Sequence, residues 1–287
     1  MLFQFFVNGL ISGSIYALIA IGFSIIYGTV RFFHFAHAGI YTSGAYAMYT
    51  FFIIFKMPFV VSFIFSCIFT GFLGVIIEFL IYKPMRKKGS NQLTLLTASI
   101  GIFICLQNFI SLLFGDDVKT IRLGFVNEGY NLLGARITAV QISIILVSLI
   151  LFSLVFFIMR KTRVGKSLTA IATNPELAII KGIEIQSITY YTFFIGSALA
   201  AIASILISLD IDMTPVMGFN ALLYGVVAVI IGGYGNIIGS YFGGIILGFI
   251  QQIGIWQLST KWQDPIVFAV LIFFLLFYPK GIFQQYK

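Results

Sequence analysis

Charge is the scarcest property of this 287-residue chain, because Asp, Glu, Lys and Arg make up only 9% of it, against 60% hydrophobic residues. A surface so poor in charge cannot keep a folded domain dissolved in water, so the composition excludes an ordinary soluble enzyme and is typical of a protein embedded in lipid. The chain also lacks a polar linker and a low-complexity tract. We therefore expect residues 1–287 to form a single membrane domain.

Histidine and cysteine are almost as scarce, with two of each in the whole chain. Zinc needs three or four protein ligands, and His34 and His37 have no third histidine or nearby cysteine to join them. Cys67 and Cys105 each lie in an apolar run, where a thiol behaves as a small hydrophobic group. We predict no metal, no cofactor and no disulfide. The two histidines also offer no recognisable catalytic triad, so we do not expect an enzyme.

Long apolar runs are what the sequence has in abundance. A hydrocarbon core of about 30 Å needs about 20 helical residues, and the runs lack the period-2 alternation that a membrane β-barrel requires. The sequence predicts an all-α, polytopic integral membrane protein with about eight transmembrane helices. We expect the first helix to be retained, because its run has no basic region before it and no small-residue cleavage site followed by a soluble domain. The runs are Leu2–Val30, Ala38–Phe55, Phe59–Tyr82, Leu93–Gly115, Ile137–Met159, Ile188–Leu209, Phe219–Ile250 and Pro265–Tyr278.

The net charge of +8 is concentrated in alternate links between these runs. Links 83–92 and 160–187 carry four and five Lys or Arg, whereas links 56–58 and 115–136 carry one and three. Basic residues are favoured in cytoplasmic loops, so we predict that the two richer links face the cytoplasm and that the N-terminus lies outside. The charge sets orientation, and we expect no binding to nucleic acid.

The seventh run, Phe219–Ile250, has five glycines within fifteen residues. Each glycine inside a helix costs about 0.5–1 kcal/mol relative to alanine, so we predict a break near Gly232–Asn236, with two half-helices joined at membrane depth. The run either crosses once or turns back as a hairpin. Only the hairpin puts the C-terminal Lys280 and Lys287 inside, and the charge bias favours it.

Glycines also recur at every fourth position, a spacing that lets membrane helices approach closely. Packing within the chain, a dimer interface and the lining of a pathway are all compatible with this spacing. The stripes are Gly235, Gly239 and Gly243, then Gly244 and Gly248, and in the first run Gly9 and Gly13.

A few ionisable groups lie in or beside the runs. His34 and His37 are three residues apart next to Arg31, so a helix would put both rings on one face; they are candidates for polar packing, a gate or a ligand contact. Glu78 is the one carboxylate inside a run, and we expect it to pair near Lys83 or reach the cytoplasmic surface.

Residues 160–187 form the longest polar segment. Gly165-Lys166-Ser167 resembles the end of a phosphate-binding loop, but Arg160 occupies the position of that motif's first glycine. We therefore expect no ATP binding by this chain.

A short capped helix is predicted at the centre of this segment. Its signals are Asn174 as the N-cap, Pro175 at the first position, Glu176 and Lys181 at the ends that favour their charges, and Gly182 as the left-handed stop. So short a helix is unstable alone. Leu177, Ile180 and Ile183 either pack on the membrane face or fit a groove on a cytosolic partner.

Several ordered motifs, spread over nearly the whole chain, resemble the permeases of branched-chain amino-acid ABC importers, particularly the shorter of the two paired permeases. The motifs are Gly13–Gly22, Tyr27-Gly28, Phe35-Ala36-His37, Gly44-Ala45-Tyr46, Asn174-Pro175-Glu176 with Ala178 and Gly182-Ile183, Ala228–Asn236, Gly243-Gly244, Trp262 with Asp264, and Tyr278–Phe283. His34 stands where the family commonly has asparagine, and Tyr278 where it commonly has arginine.

The resemblance implies a non-catalytic permease subunit that moves a branched-chain or similar small amino acid across a bacterial inner membrane. It also implies two cytosolic ATPase subunits, a second permease subunit and a periplasmic substrate-binding protein as partners. A urea or short-amide ABC permease and an ion-coupled secondary transporter are the alternatives.

The resemblance further assigns residues to two sites. The implied ATPase-coupling residues are Arg163, Gly165, Thr173, Asn174, Pro175, Glu176, Ala178, Gly182 and Ile183. The expected pathway and helix-break residues are Asn8, Gly13, Tyr16, Gly22, His34, His37, Gly232, Gly233, Tyr234, Gly235 and Asn236.

Overall fold

The computed structural model describes residues 2–121, 129–132 and 134–283, so Arg122, one of the three basic residues counted in link 115–136, and Lys287 lie outside the described residues. The helices are α1 (Leu2–Val30), α2 (His37–Tyr49), α3 (Phe59–Ile77), α4 (Lys83–Lys87), α5 (Gln92–Phe114), α6 (Ala139–Lys161), α7 (Arg163–Thr173), α8 (Pro175–Ile180), α9 (Ile185–Asp210), α10 (Met217–Gly232), α11 (Ile237–Gln257) and α12 (Gln263–Phe277). Helix α2 continues in π form over Thr50–Ile54, α3 over Glu78–Tyr82, and a 3₁₀ turn, Thr260–Trp262, precedes α12.

The fold is helical and built for a membrane. Seven helices in the described ranges are long and apolar enough to cross a bilayer, and α10 is a shorter apolar helix. Two short strands, β1 (Gly129–Leu132) and β2 (Ala135–Thr138), pair antiparallel in the link between α5 and α6. The prediction of an all-α polytopic membrane protein is confirmed.

The seventh predicted run folds as two helices. Helix α10 ends at Gly232, and α11 begins after Asn236, whose side-chain oxygen accepts a hydrogen bond from the Gly239 N–H at 3.0 Å. The two helices pack side by side in opposite directions, with Gly243 of α11 against Ala228 of α10. The structure therefore adopts the hairpin, and the seventh run supplies two antiparallel helices in place of one.

The bundle has two distinct ends. At the basic end, Arg31, Arg160 and Lys280 surround one cavity. At the far end, the Gln4 amide donates to the Arg136 carbonyl at 3.2 Å, and Lys119 bridges to Met213. Links that the charge count assigned to the same side of the membrane therefore share an end of the structure.

Helix α1 occupies the centre of the bundle. Its most apolar 18-residue window is 89% buried, whereas that of α12 is 11% buried. Helices α6, α9, α10 and α11 pack around it. A displacement of α1 would therefore change its contacts with all four of these helices.

The glycine stripes of α11 explain this close packing. Gly243 faces α10, while Gly248 faces α1, where an added Cβ would lie 2.5 Å from Gly13 Cα and from the Gly9 carbonyl oxygen. Gly244 contacts the backbone of Ala17 in the same way. Gly239, Gly243, Gly244 and Gly248 therefore make contacts within the chain, whereas Gly235 has open space beside it.

Candidate functional site

Residues 160–187 fold as α7 and α8 at the basic end. The Thr162 hydroxyl oxygen accepts a hydrogen bond from the Gly165 N–H at 3.1 Å and so caps α7. An added Cβ on Gly165 would lie 2.5 Å from the Met159 carbonyl oxygen. Because only glycine fits this corner, α7 packs directly against the end of α6.

The predicted short helix is α8, and its caps form as expected. The Asn174 side-chain oxygen accepts a hydrogen bond from the Leu177 N–H at 3.1 Å, and Pro175 is the first helical residue. Gly182 has a φ of 76° and ends the helix in the left-handed region. The buried side chain of Ala178 holds α8 on the main core.

The outer face of α8 is apolar and open. Leu177, Ile179 and Ile180 are 56%, 60% and 78% exposed. Leu177 and Ile180 therefore do not pack on the bundle, although Ile183 does. An exposed apolar patch of this kind is typical of a contact site for a protein partner or for the membrane surface.

A cavity of about 540 Å³ lies beside this patch, between the end of α6 and helices α7 and α8. Arg160, Lys166 and Lys181 line it and make it positive. Four of the predicted coupling residues, Thr173, Asn174, Ala178 and Ile183, also line it. Arg163 and Glu176 are exposed on the same segment.

Arg31 joins this segment to the central helix, a contact that the sequence did not reveal. The Arg31 guanidinium donates to the Ala172 carbonyl at 2.9 Å and to the Thr173 carbonyl at 3.4 Å, at the C-terminal end of α7. A cation at a helix C-terminus stabilises the folded protein by about 0.3–1 kcal/mol. Arg31 directly follows α1 and has a φ of 55°, which is uncommon for a residue with a side chain. In the sequence, the one indication of this contact is that Arg31 directly follows the first apolar run.

The glycine turn between α10 and α11 also lies at the basic end. Gly233, Tyr234, Gly235 and Asn236 line a cavity of about 1,230 Å³ together with the three basic residues of that end. The break forms between Gly232 and Ile237 as predicted, and its depth in the membrane stays a prediction.

The charge of this larger cavity comes from its basic side chains. Partial burial, with a smaller contribution from Tyr27, raises the pKa of Tyr234 above its ordinary value. Tyr234 is therefore neutral, and its ring lies 5.1 Å from the ring of Tyr27.

The C-terminal motif closes the turn from outside. The Ile282 N–H donates to the Ile231 carbonyl at 2.8 Å, and the Asn236 amide donates to the Phe283 carbonyl at 2.6 Å. Gly281, with a φ of 77°, lies directly against Gly233. The segment Tyr278–Phe283 therefore donates hydrogen bonds to carbonyl groups at the end of α10 and fixes the turn between α10 and α11.

The pathway residues predicted in α1 have mixed surroundings. Gly22 packs on the Gly196 carbonyl of α9, and Gly13 on Ile245 of α11, so both serve helix contacts. The Tyr16 hydroxyl donates to the Gln251 side-chain oxygen at 2.6 Å in a buried position. Asn8 accepts from the Gln4 amide at 2.9 Å near the far end. Their role in a pathway stays a prediction.

Comparison with known proteins identifies the family. The family profile described as the permease component of branched-chain amino acid transport systems matches residues 5–275. This chain belongs to that permease family.

Named relatives cover almost the whole permease. It is 33% identical to the high-affinity branched-chain amino acid transport system permease protein LivH of Salmonella typhimurium, over 96% of this chain and 93% of LivH. It is 35% identical to the corresponding protein BraD of Pseudomonas aeruginosa, over 97% and 94%. The solved structure of PsaBC from Streptococcus pneumoniae in complex with Fab has a similar fold, with a TM-score of 0.54 at 15% identity, covering 97% of this chain and 92% of that one.

The two histidines of the permease are brought together, but not by a helix. His34 lies in the non-helical link before α2, and His37 is the first residue of α2; their ring centroids are 5.9 Å apart. Both are fully buried, and His34 Nδ1 lies 3.1 Å from the Tyr82 hydroxyl. Burial, and secondarily His37, lowers the pKa of His34 well below its usual range. Neither histidine lines the two cavities described above.

Glu78 of the permease is paired, as predicted, but with a different partner. Its carboxylate, which is fully buried, forms a bidentate ion pair with Arg86 and accepts a hydrogen bond from the Gln186 amide at 3.1 Å. Lys83 instead donates to the Tyr190 hydroxyl at 2.8 Å. Glu78 therefore joins α3 and its π-helical end to α9.

Proposed function

We propose that this chain is the permease subunit of an ATP-binding-cassette importer that carries branched-chain or similar small amino acids inward across a bacterial inner membrane. The observation that carries the proposal is the match of nearly the whole chain to permeases with that named role. The basic end faces the cytoplasm, since both basic-rich links lie there.

The importer also needs subunits that this chain lacks. Two cytosolic ATPases supply ATP hydrolysis, a second permease completes the membrane domain, and a periplasmic binding protein delivers the substrate. The exposed apolar face of α8 supports a docked ATPase, because Leu177, Ile179 and Ile180 are more than half exposed on a helix whose other side is fixed.

The contacts at the basic end support a route for mechanical coupling. An ATPase that moves α8 moves α7 with it, because Asn174 is both the end of α7 and the cap of α8. Arg31 transmits that displacement to α1, and the same cavity includes the Gly233–Asn236 turn. The cavity at the basic end is then where the amino acid leaves.

The two alternatives receive less support. A urea or short-amide permease would share this fold, but the named relatives transport amino acids. An ion-coupled carrier needs a carboxylate for the coupling ion, and Glu78, the one carboxylate inside a predicted apolar run, is already paired with Arg86. Uptake by this chain alone under an imposed proton or sodium gradient, with ATP depleted, would favour the carrier.

The docking assignment is tested with Ile180→Asp, which puts a charge on the exposed face without touching the caps of α8. Copurification of the ATPases and amino-acid uptake should both be lost, while membrane insertion and thermal stability stay unchanged. The control is Lys88→Asp, an exposed change in the other basic-end link. Normal ATPase copurification with Ile180→Asp would remove α8 as the docking site.

A further inference from the structure

A line of polar side chains crosses from the surface of the bundle into its core toward the far end. The far-end polar strip consists of Asn220 and Tyr224 on α10, Asp264 on α12, Tyr16 on α1 and Gln251 on α11. The Tyr224 hydroxyl donates to an Asp264 carboxylate oxygen, and the Tyr16 hydroxyl donates to Gln251. The Tyr16 and Tyr224 rings, 4.9 Å apart, join the two pairs.

Exposure falls along the strip. Asn220 and Asp264 are exposed, Tyr224 is half-buried, and Tyr16 and Gln251 are buried. The Gln251 amide nitrogen has no hydrogen-bond partner among the described residues. Leaving a buried amide unpaired destabilises a fold, so packing alone does not account for Gln251.

The outer part of the strip is poorly suited to contact with lipid. Tyr224 lies near the middle of α10, and Asp264 is the second residue of α12. Polar groups within membrane spans face a watery cavity or a protein partner, and they often mark the path of a substrate. Phe219, which is 42% exposed beside Asn220, supplies an apolar neighbour.

The chemistry of the strip matches that of an amino acid. We propose that it is a substrate site on the entry side. Asp264, at the exposed end, accepts hydrogen bonds from the α-ammonium group, and the buried Gln251 amide donates hydrogen bonds to the α-carboxylate when the substrate has moved further into the core. Tyr224 is a positioning residue, because its hydroxyl holds one oxygen of Asp264 and leaves the other for the substrate. This inference rests on the proposed function and names where that substrate is recognised.

The test uses the complete importer in proteoliposomes, with leucine uptake driven by ATP. Asp264→Asn should lower uptake about tenfold or more, since it removes the charge with which the α-ammonium group pairs. Copurification of the other subunits and ATP hydrolysis stimulated by the binding protein should persist. Asp264→Glu should restore most of the uptake, and Asp117→Asn, an exposed carboxylate after α5, should leave it unchanged.

A second measurement does not depend on Asp264. Asn220→Cys, in a background with Cys67→Ser and Cys105→Ser, should react with an impermeant thiol reagent, and the substrate-loaded binding protein should slow that reaction relative to the unloaded protein. Equal labelling rates would overturn the inference.

The uptake outcomes separate the inference from the proposed function. Wild-type import with unchanged import by Asp264→Asn would overturn the substrate site alone. Loss of the second permease from Asp264→Asn preparations would also overturn it and assign Asp264 to subunit assembly. Absence of amino-acid import by the intact wild-type complex would reject the proposed function itself.

Discussion

The contact between α11 and α1 at Gly248 offers a sharp test of the structure. Gly248 of α11 lies against backbone atoms of Gly9 and Gly13 on α1, and a Cβ added at Gly248 would be 2.5 Å from three of them. Backbone atoms cannot rotate away as a side chain can. Gly248→Ala therefore has to separate the two helices.

The expected cost follows from the geometry. Carbon atoms in contact lie about 3.5–4.0 Å apart, so the helices must separate by roughly 1 Å at this crossing. Overpacking of this kind costs about 1–3 kcal/mol, and replacing glycine in a helix returns up to about 1 kcal/mol. We expect a net loss of about 1–2 kcal/mol, or about 2–8 °C in melting temperature.

The assay is thermal melting of the purified protein in detergent. Gly101→Ala is the matched control, since it makes the same change inside a membrane helix where an added Cβ meets no atom within 4 Å. The control should melt at the wild-type temperature or slightly above it. A Gly248→Ala protein as stable as the control would refute the packing of α11 on α1.

Two further predictions concern the ionic contacts. Arg31→Gln should lower the uptake per ATP hydrolysed by up to about fivefold, because an exposed contact at a helix end is worth at most about 1 kcal/mol. Equal ratios of uptake to ATP hydrolysis in the variant and the wild type would contradict the coupling route. Arg86→Gln should destabilise the protein by about 2 kcal/mol or more, since it leaves the buried Glu78 carboxylate without its cation. Adding Glu78→Gln should recover part of that loss in a thermal double-mutant cycle, and strictly additive losses would mean that the pair is not coupled.

Local signals predicted the elements of the fold well. The first apolar run, Leu2–Val30, coincides with α1, because a membrane helix satisfies its own backbone and needs only apolar length. The caps of α8 were equally visible, since Asn174, Pro175 and Gly182 act on atoms a few residues away. The hairpin at Gly233–Asn236 followed from glycine content and charge bias together.

Contacts between distant residues were beyond such signals. The glycine spacing predicted close approach, but it could not say that Gly243 faces α10 while Gly248 faces α1. Nor could it show that the segment around Gly281 returns to cap α10. The helix expected to carry His34 and His37 begins only at His37, because the chain turns at Arg31.

The contacts that the sequence did not reveal are those that link separate parts of the permease. Arg31 connects the α7–α8 segment to α1, and Glu78 connects α3 to α9. The segment that follows α12 is hydrogen-bonded to the end of α10 beside the α10–α11 turn. Each is a polar contact at the basic end or close to it, whereas α11 packs on α1 and α10 through glycine-lined surfaces. Apolar contacts between smooth helix faces tolerate small shifts, but directional hydrogen bonds at their ends either hold or break. In the coupling route that we propose, the force enters at the basic end, and Arg31 is the contact whose removal should separate ATP hydrolysis from uptake.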